Sequence, residues 1–175
     1  MIFDWLDLSS YFSNNQIKAF FSYKSFPSQG LEGRRDFVNQ TGFDENTIII
    51  PKQIHSKNVV LQYKAGEING VDGVFTFNPD LVCSIQVADC MPIFFSHLTE
   101  NKFGLIHVGW RGLVDGIIYE SIRLLDNHGL NIDEFEIIIG PSIQSCCFEV
   151  KNDIIKNFEK EFVKKINENK FKVNL

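Results

Sequence analysis

Short apolar runs broken by Gly, Pro, Asn and Asp fill most of the chain up to residue 140, a pattern that favours strands over helices. A polar and aromatic lead-in over residues 1–16 shows no clear period. Beyond it, the pattern predicts strands over 17–23, 47–51, 59–63, 74–77, 81–87, 92–96, 103–108 and 135–140. Pro27, Gly30 and Gly33 mark 25–33 as a loop, and the stretches 69–73 and 78–80 read as turns. A short helix is predicted over 34–41, ending at Gly42. After Gly112, the residues Leu113, Ile117, Ile118, Ile122 and Leu125 recur near helical spacing until Gly129 stops the run. In the tail Ile154, Phe158, Phe162 and Ile166 lie four apart, with Ile155 and Val163 beside them and lysines opposite. That stripe predicts an amphipathic helix with Asn152 or Asp153 as its N-cap.

The chain has no repeat, low-complexity segment or obvious linker, so its 175 residues are expected to form one domain, 1–175. Its 44% hydrophobic and 22% charged residues match an ordinary soluble globular protein. The 17 phenylalanines mark either a Phe-rich core or a compositional bias. A net charge of −5 argues against nucleic acid as a partner, because phosphate backbones select basic surfaces. No apolar run approaches the roughly 20 residues of a membrane span, and the first residues carry acids where a secretory signal carries bases. The four cysteines, two of them adjacent, do not space out as a disulfide framework. A reducing cytoplasm is the expected setting.

Cysteine there is more often ligand or nucleophile than staple. Cys90 and His107 each stand where an apolar run gives way to Gly, Pro or charge, and His55 follows a strand within a polar segment. His97 and His128 fall in polar connectors and are expected to be solvated. One thiolate and two imidazoles suit Zn²⁺ with an open fourth position. Separations of 35 and 17 residues are far from the short pairs of structural zinc fingers. The same donors with Met91 also make a blue-copper set, although a multicopper oxidase needs on the order of ten histidines. Gly109 to Gly112 reads as the opening of a helix. Arg111 offers a fork for phosphate or carboxylate, Trp110 a stacking face and Gly112 room for close approach; equally, Arg111 serves as a surface ion-pair residue and Trp110 as core. In the stretch 140–150, Cys147 and Glu149 are candidates for a pocket border, against the alternative that the cysteines are simply buried apolar residues. Asp72 and Asp89 are further acid/base candidates, although Asp before Gly commonly just shapes a turn.

Taken together, Gln53, Ile54 and His55; Asp72 and Gly73; Ala88 to Pro92; His107 to Gly112; Gly140 to Ile143; and Cys147 to Val150 resemble the laccase-domain family, also called YfiH-like or polyphenol oxidase. The order and approximate spacing agree from about residue 50 to residue 150. The resemblance implies an α+β fold, a layered sandwich of mixed β-sheets flanked by helices and related to cysteine hydrolases. It also implies zinc held by His55, Cys90 and His107. The implied partners are purine nucleosides and phosphate, in phosphorolysis of adenosine, inosine, guanosine or methylthioadenosine and in deamination of adenosine. In such chemistry Arg111 would orient phosphate, and Asp89 or Glu149 would carry protons. A cysteine hydrolase using Cys90 or Cys147 with His107 is the alternative without a metal, and a non-catalytic metal-binding domain is a third. Relative to the family, the chain is expected to be shortened at its C-terminus, and a monomer or small homo-oligomer is expected.

Overall fold

Residues 91–97 and 103–108 are apolar at both parities, so strands made from them must be covered on both faces. The computed structural model, which describes residues 4–28 and 30–175, places these two strands at its centre. Residues 1–3 of the expected lead-in and Gln29 of the expected loop lie outside the described residues.

The first strands are β1 (Trp5–Asp7), β2 (Phe20–Ser22), β3 (Ile48–Lys52), β4 (Val59–Leu61), β5 (Gly66–Asn69), β6 (Gly73–Thr76) and β7 (Val82–Cys83). They are followed by β8 (Met91–His97), β9 (Phe103–Val108), β10 (Phe135–Ile139), β11 (Glu149–Val150), β12 (Val163–Lys165) and β13 (Phe171–Val173). The helices are α1 (Gly30–Gln40), α2 (Trp110–Asp115), α3 (Ile117–Asn127) and α4 (Asn152–Ile155).

A five-stranded mixed sheet runs in the order β10-β8-β9-β6-β4, with only β4 and β6 parallel. On one face Ile93, Phe95, Ile106 and Val108 pack with Ile117 and Leu125 of α3. On the other, Phe94 and Leu105 meet Leu8, Phe12, Ile17 and Ala19 of the N-terminal segment. A smaller parallel sheet, β5-β3-β7, lies under α1, whose Val38 packs on Ile48 and Ile50. The fold is therefore α+β, with mixed sheets between helical layers. Among the described residues, no helix is long and apolar enough to cross a membrane.

Several expectations change. The lead-in contains β1, paired antiparallel with β2, and β5 lies within a polar stretch. The strand expected over 81–87 is only Val82–Cys83. Helix α1 begins at Gly30 instead of residue 34. The helix after Gly112 is two: α2 starts at Trp110, and Gly116 at φ +96° separates it from α3, a left-handed conformation glycine adopts at little cost. The expected tail helix is replaced by α4, a 3-10 turn and the β12–β13 pair, where Val163 faces Val173. The stripe residues Ile154, Ile155 and Phe158 are still used, packed against Val150, Phe171 and Val173. His97 is not solvated: it is 5% exposed at the end of β8, its Nδ1 accepts the amides of Thr99 and Glu100, and its ring stands edge-on to Phe135. His128 is exposed as expected.

Candidate metal centre

The centre is built where the end of β9 lies beside the start of its antiparallel neighbour β6. Gly73 pairs with Ile106, so Asp72 meets His107 one step further along, and the His107 amide donates to the Asp72 carbonyl at 2.7 Å. The side chains repeat the pairing, His107 Nδ1 lying 2.8 Å from Asp72 Oδ1. Fully buried, the Asp72 carboxylate also accepts the amides of Ile54 (3.2 Å), His55 (2.9 Å) and Ser56 (2.7 Å), and the Ser56 hydroxyl (2.7 Å). Those donors belong to the loop after β3, so one carboxylate fixes the loop that carries His55. His55 itself sits at φ +61°, a left-handed conformation that costs a residue with a side chain and persists only where its surroundings hold it.

Cys90 immediately precedes β8, whose Met91 pairs with Val108, so the thiol meets the end of β9. Its Sγ is 3.9 Å from His55 Nε2, the two imidazoles lie edge-to-face with centroids 4.7 Å apart, and one donor atom from each of the three residues falls within 4.8 Å of the others. Gly109 makes room for this grouping: a Cβ there would stand 2.7 Å from the His55 ring and 3.3 Å from Cys90 Sγ. Gly112 does the same for the loop, since a Cβ would stand 2.7 Å from the Ser56 carbonyl oxygen.

Burial opposes charge on Asp72, but the hydrogen bonds from His107, Ser56 and Ile54 outweigh it and hold the carboxyl well below the usual carboxylate range. For His107 burial also opposes charge, and contacts with Asp72 and Cys90 prevail, raising its pKa to about 9 in the metal-free protein. One thiol and two imidazoles with a carboxylate behind one ring form a donor set that fits a borderline-soft divalent ion, the carboxylate fixing which ring nitrogen is free. Met91, the possible copper axial ligand, packs instead against the core beneath the sheet.

The three donors open onto a cleft of about 540 Å³ bounded by α1, the end of β3 and the 86–90 segment. Asp89 is exposed on its wall, and its carbonyl accepts the Ile143 amide at 2.9 Å. Arg111 does not line this cleft; its guanidinium lies over the Trp110 ring, 4.5 Å from the centroid, and Trp110 in turn is 6.3 Å from the Phe158 ring. Helix α2 is only six residues long, so its dipole adds little. Cys147 and Glu149 also lie outside the cleft walls. Cys147 is exposed with Sγ 3.1 Å from Cys146 Sγ, and Glu149 pairs with Lys170 at 2.8 Å, which lowers its pKa. Sequence reasoning missed the role of Asp72 as the anchor of the His107 imidazole and of the His55 backbone. It also missed Arg34 on α1, which reaches Gln53 Oε1 at 3.0 Å inside the cleft wall.

Known proteins match this chain in both sequence and fold. Residues 21–175 match the family described as multi-copper polyphenol oxidoreductase laccase. Adenosine deaminase RL5, from an unknown prokaryotic organism, is 30% identical over 143 residues, 74% of this chain and 53% of that protein. A purine nucleoside phosphorylase of Haemophilus influenzae is 31% identical over 121 residues, 69% of this chain and 48% of its own. The chain thus spans about half the length of these curated relatives. Among solved structures, hypothetical protein YfiH of Bacillus licheniformis superposes with a TM-score of 0.75 at 22% identity, covering 82% of this chain and 61% of that one. A Neisseria meningitidis protein superposes with a TM-score of 0.76 at 18% identity, covering 98% and 79%. With the motifs, the layered fold and a family match that covers most of its length, the chain belongs to the multi-copper polyphenol oxidoreductase laccase family.

Proposed function

We propose that this chain is a zinc-dependent purine nucleoside enzyme, catalysing phosphorolysis of adenosine, inosine, guanosine or methylthioadenosine and hydrolytic deamination of adenosine. The observation that carries this reading is the convergence of His55, Cys90 and His107 at the wall of a cleft large enough for a nucleoside. The relatives named adenosine deaminase and purine nucleoside phosphorylase lend the substrate class. Three protein ligands leave a fourth position free, the arrangement of catalytic rather than structural zinc. Held by His55, Cys90 and His107, zinc would supply Lewis acidity, able to lower the pKa of a water or to polarise a substrate oxygen.

The remaining work falls to the chain itself. Asp72 holds His107 by Nδ1 and leaves Nε2 as its donor, while the same carboxylate sets the position of His55. Asp89, exposed on the cleft wall beside Cys90, is placed to move a proton to or from a bound purine; Glu149 is engaged by Lys170. Multi-copper chemistry is the weaker reading of this donor set. The chain has four histidines, and His97 and His128 take no part in the three-residue group.

The test is incubation of the zinc-loaded chain with adenosine, with and without phosphate. Inosine, or adenine with ribose-1-phosphate, is expected; the absence of all of these products overturns the reading. Cys90→Ala is expected to reduce bound zinc from about one per chain to none, and to abolish both reactions together.

One observation favours a second reading. Asp72, His107 and Cys90 stand in a row, the order of a cysteine nucleophile with its base and orienting acid. Inactivation by iodoacetamide at Cys90 that is indifferent to chelators would favour that hydrolase. Protection of Cys90 by zinc would exclude it.

A further inference from the structure

Charge in the cleft is not balanced in the way its walls suggest. Lys52, on the β3 side, is paired with Glu67. Arg34, on the α1 side, is half-buried and makes no ion pair among the described residues. Its two hydrogen bonds go to neutral oxygens, the Pro51 carbonyl at 3.2 Å and Gln53 Oε1 at 3.0 Å. Burial accordingly pushes the Arg34 guanidinium below its ordinary pKa. A partly desolvated cation without an acid partner is costly, and an anion bound in the cleft would offset that cost.

The fork is also held in place. Gln53 accepts from Arg34 Nη2 and from the Gln86 amide (2.7 Å), and its own amide donates to the Gln86 carbonyl at 2.8 Å. This locks the side chain that steers the guanidinium. Two of the five N–H donors of an arginine are thereby used on the wall, which leaves three for a ligand. Gln53 stands two residues before His55, so the same short segment steers the arginine and carries a metal donor.

We propose that Arg34, steered by Gln53, is the oxyanion subsite of the cleft and takes the inorganic phosphate consumed in nucleoside phosphorolysis. This rests on the reading of the cleft as a nucleoside site. It moves phosphate recognition from Arg111, which stacks on Trp110 outside the cleft, to a residue inside it.

The experiment compares zinc-loaded wild type, Arg34→Gln and Arg34→Lys. Arg34→Gln is expected to raise the KM for phosphate by about tenfold or more, the scale of a lost charge-assisted hydrogen bond, and by more than it raises the KM for nucleoside. Arg34→Lys, which keeps the charge and loses the fork, is expected to fall between the two. An unchanged phosphate KM in either active, folded variant overturns the proposal; where Arg34→Gln does not fold, Arg34→Lys decides. If wild type turns over no nucleoside, the functional reading fails, and the subsite is judged by titration calorimetry with inorganic phosphate alone. Binding by wild type that Arg34→Gln or Arg34→Lys weakens supports the subsite; no binding, or equal binding, overturns it.

Discussion

Asp72 accepts hydrogen bonds from Ile54, His55, Ser56 and His107, so a single carboxyl group fixes two of the three donors. Asp72→Asn keeps the shape but turns an NH₂ toward groups that all need an acceptor. Zinc affinity is expected to fall by about 10- to 100-fold, read by competition with a chromophoric chelator. The raised pKa of His107 gives a second expectation with opposite signs for the two forms of the protein. In the chelated protein the His107–Asp72 pair stabilises the fold fully below about pH 6.5, the ordinary value, and this contribution is lost as pH rises through about 9. Zinc needs the free Nε2, so its affinity should instead increase over that range. Melting curves with chelator and zinc titrations at both ends of the interval check the two slopes. The three donors were legible in the sequence because each follows or ends a run of apolar residues. Asp72 was legible as an acid/base candidate but not as the anchor of the centre, because its imidazole partner lies 35 residues away and Asp before Gly reads locally as a turn.

Among the elements, β9 was legible to the residue, since a dense apolar run between Lys102 and Gly109 admits little else. The tail was not. Its four-residue stripe satisfies a helix locally, but Phe171 and Val173, which carry no helical signal, supply a strand for Val163 to pair with, and non-local pairing overrides the stripe. The two arrangements assign different weights to two phenylalanines. Phe171 is 8% exposed and Phe162 is 45% exposed. Phe171→Ala is expected to cost about 3–5 kcal/mol and Phe162→Ser less than about 1 kcal/mol, measured by denaturant unfolding. A continuous amphipathic helix would instead make Phe162 a core position. Arg34 escaped notice for a related reason: nothing on α1 marks it, and its meaning comes from β3 and the 86–90 segment across the cleft.

At the scale of the whole molecule, the centre draws on three segments: the loop after β3, the residue before β8 and the end of β9. An ion bound there would tie the small parallel sheet to the large mixed one. Zinc at 100 times its Kd should therefore stabilise the fold by about 2.7 kcal/mol, roughly 5–10 °C in Tm for a chain of this size. Cys90→Ala should show no such shift by differential scanning calorimetry. The close approach of Gly109 to His55 and Cys90 has an optical consequence as well. The next residue is Trp110, one of only two indoles in the chain, while Trp5 lies in β1 with its ring 6.1 Å from that of Phe37. In a Trp5→Phe background the remaining emitter would follow directly on the glycine that abuts two of the three candidate donors, so an emission change on adding zinc, absent in Cys90→Ala, is expected to report occupancy without any added dye.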